Sequence, residues 1–258
     1  MNISPLSVIL YLSLFIVPFL IFRKLKISIG RKLFVAVFRM ATQLTLVGFY
    51  LGYIFRLNNP LVNVIWVILM LTVANFSVLN QSELSVKKLG VSTFVSMFIT
   101  ILIVGSSFLV VLDAANFMNA RYMIPIMGML LGNILRYNII VLSSFYKNLK
   151  AREADYIQFI SLGATRNEAT LPFMAQALKS SIVPQIGGIA TMGLVTLPGM
   201  MTGQILGGAD PLIAIKYQIV ILTAIFTAGT VSATLAVVFS RRAAFDKYDR
   251  LDHSIYKL

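Results

Sequence analysis

The chain has 258 residues, of which 58% are hydrophobic and only 12% charged, against about 25% charge in a soluble domain. It is therefore expected to be an all-α polytopic membrane protein. The absence of cysteine excludes disulfides and thiolate ligands. A single histidine, His253 in the polar tail, excludes an imidazole metal site within one chain.

Apolar runs of about 18–25 residues suit a hydrocarbon core of about 30 Å. They predict about seven spans, at about 4–22, 33–55, 61–79, 91–112, 122–145, 181–205 and 212–239. A β-barrel would instead show alternating strands of about 10 residues. The first run lacks a basic leader and a small-x-small cleavage site, so it reads as a retained span. Arg23–Lys32 alternates basic and apolar residues, as an interfacial elbow or a basic stop-transfer loop would.

The second span carries Arg39 and Gln43 one turn apart on one face. Arg39, about 9 Å inside the span edge, can snorkel to headgroups. Gln43 is deeper and is expected to face other helices or a wet cavity. The fifth span opens at Pro125 and holds Gly128, Gly132, Asn133 and Arg136, suggesting a cavity-lining or tightly packed helix. Small residues four apart recur at Gly48/Gly52, Gly128/Gly132 and Gly199/Gly203/Gly207, which suits internal packing or a homodimer seam.

From Tyr146 to Ser180 the apolar character drops. Gly163 is placed as a left-handed helix C-cap, and Thr165 with Glu168 as a capping box for the next helix. Two short helices are thus expected to meet at Leu162–Thr165, outside the membrane. The sixth span is interrupted by Pro184, Gly187, Gly188, Gly193, Pro198, Gly199 and Gly203, so an unbroken helix is not expected there. Methionines such as Met200 and Met201 beside Pro198 could offer soft thioether ligands or simply pack. Gly207–Pro211 reads as a turn, and Arg241-Arg242 anchor the last span.

Seven spans place the N-terminus outside and the C-terminus inside. With that orientation 17 of the 22 Lys and Arg fall on the cytoplasmic side: five in 23–32, two in 80–90, five in 146–180 and five after Ser240. The positive-inside rule then accounts for the net charge of +13 without nucleic acid as a partner; anionic membrane lipid would be attracted to the same segments. No Asp or Glu falls inside a predicted span, which argues against a proton-driven relay. No G-x-x-x-x-G-K-[ST] motif occurs, so the chain has no P-loop of its own. A transport pathway without a motor suggests a separate ATPase docking on the 146–180 segment.

The strings Ser161-Leu-Gly-Ala-Thr165, Leu197-Pro-Gly-Met-Met-Thr-Gly203, Gly208-Ala-Asp-Pro211 and Lys216-Tyr-Gln-Ile219 resemble the FetB-type permeases. So do Pro125, Gly128 and Gly132-Asn133, and the similarity covers nearly the whole chain in order. The resemblance implies one transmembrane permease domain over residues 1–258, with a cytoplasmic coupling segment at 146–180 and a cytoplasmic tail at 240–258. It further implies an ABC-transporter subunit of a cell membrane, a homodimer, and iron export. ATP and Mg would sit on a partner cytosolic ATPase, with no cofactor in this chain.

On that reading Ser161, Leu162, Gly163, Ala164, Thr165 and Arg166 couple to the ATPase. Arg39, Gln43, Asn133, Arg136, Pro198, Met200 and Met201 are the candidate pathway residues, with no metal ligands identified. The polar members of that set suit a chelated or anionic cargo better than a bare hard cation. Alternatives are the same architecture moving an organic or nucleotide-sugar-like solute, or a passive channel.

Overall fold

A computed structural model describes residues 4–246 and 248–257. It is helical almost throughout, and the described residues include no strand, only isolated bridges. Residues 1–57 and 58–258 form two compact units.

In the first unit, α1 (Pro5–Leu12) passes through a 3₁₀ turn at Ser13–Phe15 into α2 (Ile16–Lys24), and α3 (Gly30–Leu57) follows. Within the basic 23–32 segment, residues 25–29 form the turn between α2 and α3. Ile27 N–H closes it onto the Phe22 carbonyl at 2.8 Å. At the start of α3, Gly30 lies close under the Phe19 ring, where a Cβ would come within 3.1 Å of it.

The second unit is built on four long helices: α4 (Pro60–Gln81), α5 (Val86–Val111), α7 (Ala120–Ala151) and α11 (Pro211–Ala244). Between them lie α6 (Ala114–Phe117), α8 (Glu153–Ser161), α9 (Arg166–Thr191) and α10 (Gly199–Leu206). Their starts are set locally. Asn59 accepts from Leu61 N–H ahead of Pro60, Asn119 accepts from Arg121 N–H, and Asp210 accepts from Leu212 and Ile213 N–H ahead of Pro211. Each such cap contributes about 1 kcal/mol.

α7 turns a stripe of Met127, Leu130, Ile134, Tyr137, Val141 and Phe145 inward. α11 answers with small residues, Ala224, Ala228, Gly229, Ser232, Ala233 and Ala236, all buried. Close approach follows from that size difference. A Cβ on Gly229 would fall 2.5 Å from the Tyr137 ring, so only glycine fits beneath it. The buried polar groups are mostly paired, as helices in lipid demand. Asn75 donates to the Gly90 carbonyl at 2.9 Å and accepts from Thr93 at 2.6 Å, and Asn138 donates to Ser232 at 3.0 Å.

Six helices among the described residues are long and apolar enough to cross a membrane: the α1–α2 rod from Leu6 to Lys24, α3, α4, α5, α7 and α11. The remaining predicted span, at 181–205, is the irregular one. The far half of α9, a break at 192–198 and α10 take its place. The second of the two expected short helices is also long. α9 runs for 26 residues and carries Pro172 and Pro184 within it.

The four long helices give the second unit two ends. At one gather the α4–α5 turn, the C-termini of α7 and α11, α8, the start of α9 and the chain's tail. At the other lie α6, α10 and the start of α11. Lys87, Lys88, Lys147, Lys150, Arg152, Arg166, Arg241, Arg242 and Arg250 are all at the tail end, whereas Arg121 and Lys216 lie toward the other.

Candidate functional site

The loop between α8 and α9 is fixed by two local devices. Gly163 takes φ +93, a conformation open to glycine and costly for side chains with a Cβ. Ala164 N–H reaches back to the Phe159 carbonyl at 3.1 Å and Gly163 N–H to Ile160 at 3.0 Å, so α8 ends in a Schellman motif. Thr165 and Glu168 then cap α9 reciprocally: Thr165 N–H donates to the Glu168 carboxylate at 2.8 Å, and the Thr165 hydroxyl accepts from Glu168 N–H. The Thr165 hydroxyl, donating to the Glu168 carboxylate at 2.7 Å, and then the Thr165 N–H hold that carboxyl below its ordinary range. The result is a rigid corner whose tip, Leu162, is 78% exposed; Ile157 and Phe159 are exposed beside it.

The tail braces this corner from behind. Tyr156 of α8 is buried and its hydroxyl donates to the Asp249 carbonyl at 2.7 Å; burial, then Asp249, push that phenol up to about 12. Arg166 at the start of α9 pairs with the Asp249 carboxylate, donates to the Asp246 carbonyl at 3.3 Å and lies over the Phe245 ring. Further along, the tail crosses to the α4–α5 turn. Ser85 N–H donates to the Ile255 carbonyl at 2.7 Å, and Lys257 N–H to the Glu83 carbonyl at 2.9 Å.

Lys88 pairs with Asp252, which with the Ser254 bonds pulls that carboxyl down to about 2. The Tyr256 hydroxyl donates to the Tyr146 carbonyl at 2.9 Å beneath Lys150, and His253 meets Glu153 at 3.2 Å. Residues 245–246 and 248–257 therefore form a strap joining α4–α5, α7, α8, α9 and α11. The tail carries no local signal of this role, because its partners are remote in sequence, Ile255 meeting Ser85 and Lys257 meeting Glu83.

The candidate pathway residues are dispersed. Arg39 and Gln43 lie on α3 in the first unit. The others belong to the second. There the break at 192–198 is closed by Gly193 at φ +84, whose N–H donates to the Thr196 carbonyl at 3.0 Å, and Pro198 takes the N-cap position of α10.

Beneath α10 lies a cavity of about 250 Å³. Met200, Gln204, Pro125, Tyr122, Arg121 and Tyr217 are among its lining residues. Met201 is buried beside it in sequence but does not line it. Asn133 lies about 12 Å farther along α7 than Pro125 by helical rise. Its amide turns back to the Met129 carbonyl at 2.8 Å, and Arg136 is exposed.

Met200 and Pro125 thus converge on the cavity, whereas Asn133 and Arg136 do not. Gln204, Tyr122 and Tyr217 are additions that an aromatic or amide in an apolar run does not announce. Among the described residues no three His, Cys, Asp or Glu side chains gather as a metal site. The cavity's donors are a thioether, an amide and phenols beside a guanidinium, a set that suits a complexed or anionic species better than a bare hard cation. Gln218 on α11 is buried, and its carbonyl oxygen has no partner, an unusual cost at membrane depth.

Helix lengths, apolar exteriors and one-sided charge define a multi-pass α-helical membrane protein. Over residues 5–245 the chain matches the family described as "Uncharacterised protein family (UPF0014)", and it belongs to that family. It is 29% identical over 248 residues to the UPF0014 membrane protein YjkA of Bacillus subtilis, covering 95% of this chain and 97% of the relative. To the protein named "Probable iron export permease protein FetB" of Escherichia coli it is 30% identical over 256 residues, covering 97% and 95%. Protein ALUMINUM SENSITIVE 3 of Arabidopsis thaliana is 32% identical over 234 residues, covering 89% and 83%. No solved structure matches.

Proposed function

We propose that this chain is the membrane-spanning subunit of an ABC transporter, exporting iron or a related metal species with ATP hydrolysed on a separate cytosolic subunit. The observation that carries this is the corner at Ser161–Arg166. A capped, strap-braced loop presents Leu162 and the apolar residues of α8 away from the long apolar helices. Exposed leucine and phenylalanine outside a membrane are expected to seek a protein partner. The family membership and the relative named as a probable iron export permease support transport and its cargo. A P-loop is absent from the sequence, so the energy source is assigned to a partner ATPase carrying Mg and ATP.

The charge gathered at the tail end supports placing that end, with the C-terminus, in the cytoplasm. Two copies of the chain are taken to form the pathway. Within each, the cavity under α10 is the proposed cargo compartment, with Met200, Gln204 and Tyr217 as contacts and Arg121 favouring a negatively charged iron complex.

The test is purification of the chain from its native membrane in mild detergent. A stoichiometric P-loop ATPase whose hydrolysis rises with iron is the expected result. A responsive ATPase indifferent to metals would keep the machine and replace the cargo with an organic solute. Conductance by the chain alone in liposomes, without an ATPase, would replace the reading with a passive channel.

A further inference from the structure

A second cavity, about 400 Å³, lies at the tail end between the start of α9 and the end of α11. Four charged side chains line it: Arg166, Arg241, Arg242 and Asp249. Arg166 and Asp249 are paired with one another, which leaves two adjacent guanidinium groups unneutralised. Arg241 donates to the Thr170 hydroxyl at 3.3 Å, and among the described residues neither it nor Arg242 lies in an ion pair. A cavity with two unpaired guanidinium groups in its wall, at the edge of a low-dielectric region, invites an anion.

Depth identifies the anion. The last apolar run ends at about residue 239, and Arg241 and Arg242 follow it directly near the end of α11. Basic residues directly past the end of a span lie at the level of the lipid headgroups. The apolar lining residue Val238 lies a turn toward the membrane from them, where a glycerol backbone would follow the phosphate inward.

We propose that this cavity binds the phosphate of an anionic membrane lipid, through Arg241 and Arg242 at the end of α11 and the Thr165–Asn167 turn that opens α9. A lipid there would tie the membrane plane to the corner that carries Leu162. It would be distinct from the diffuse attraction of scattered basic residues.

The experiment titrates delipidated full-length chain with phosphatidylglycerol or phosphatidylcholine and counts bound lipid by native mass spectrometry. One phosphatidylglycerol is expected to bind at least tenfold more tightly than phosphatidylcholine. Arg242→Gln, at an exposed side chain with no packing to lose, and Arg241→Gln/Arg242→Gln should erase that preference. Lys87→Gln/Lys147→Gln, which removes two charges at the same end, should keep it.

Equal affinity for both lipids, or equal loss in the Lys87/Lys147 control, would overturn the proposal. Stabilisation by inorganic phosphate that depends on Arg242, without lipid preference, would reassign the cavity to a free anion. Unchanged lipid preference in both arginine variants would likewise overturn the proposal. Because the lipid titration uses the chain alone, its result is independent of whether an ATPase docks.

Discussion

The two ends of the second unit are held by different physics. At the tail end, six helices and the strap are joined by side-chain and backbone bonds that cross the whole sequence, so its exposed loop sits on a fixed base. At the α10 end, the break at 192–198 rests on short-range backbone bonds, Gly193 N–H to the Thr196 carbonyl and Val195 N–H to the Thr191 carbonyl, both at 3.0 Å. Its Leu194 is 92% exposed, and Gly187, Gly188, Gly199 and Gly203 have open space where a Cβ would be. A rigid corner suits transmission of force, and a loosely held broken helix over a cavity suits a gate. On this account the machine moves at α10 and is pushed at Leu162.

The largest expected effect is at Gly163. Gly163→Val should reduce transport coupled to ATP hydrolysis by at least tenfold with insertion intact, because φ +93 is strained for valine although space is free. Gly163→Asn, which tolerates that conformation better, should retain most coupling. Equal coupling in both variants would remove the corner from the account.

Next in size is packing at the rigid side. Gly229→Ala should cost about 1–3 kcal/mol by overpacking against the Tyr137 ring, read as a lowered melting temperature in detergent. Gly105→Ala meets only the flexible end of Met127 at 2.8 Å and should cost less. If the order is reversed, the α7–α11 contact is not the tight one.

Smaller still, Tyr156→Phe should cost about 1 kcal/mol by leaving the Asp249 carbonyl without its donor. It should also raise hydrogen exchange at Ser85 and Lys257, amides held by the strap, with exchange around α10 unchanged.

The smallest effect is with pH. Asp252 is held down to about 2 by Lys88 and Ser254, so its contribution is complete above the ordinary carboxylate range near 4 and is lost as pH falls through about 2. Strap amides should lose protection over that interval in wild type. In Asp252→Asn that component of the pH dependence should vanish.

Sequence and structure agree where the cause is local. Gly163, Thr165 and Glu168 announce a C-cap and a capping box within six residues, and both form. Long apolar runs announce membrane helices, and six form. The extent of α9 was hidden because Lys179, Arg166 and Glu168 dilute its apolar character while Pro172 and Pro184 argue for breaks. In the structure the helix continues through both prolines.

The strap had no local signature at all. Tyr156 and Asp249, or Leu84 and Tyr256, meet only once the bundle has brought the helix ends together. Of the seven candidate pathway residues, only Met200 lines the cavity under α10. Gln204 and Tyr217 joined it only by folding, and Asn133 turned its amide onto its own helix instead.

The central claim is that the partner pushes at Leu162 and not at the broken helix. A photo-crosslinking side chain placed at Leu162, and separately at Leu194, tests it in native membranes, since both positions are exposed. The account predicts an adduct with a P-loop ATPase from position 162 and none from 194. An ATPase adduct from 194 alone, or from neither position, would contradict it.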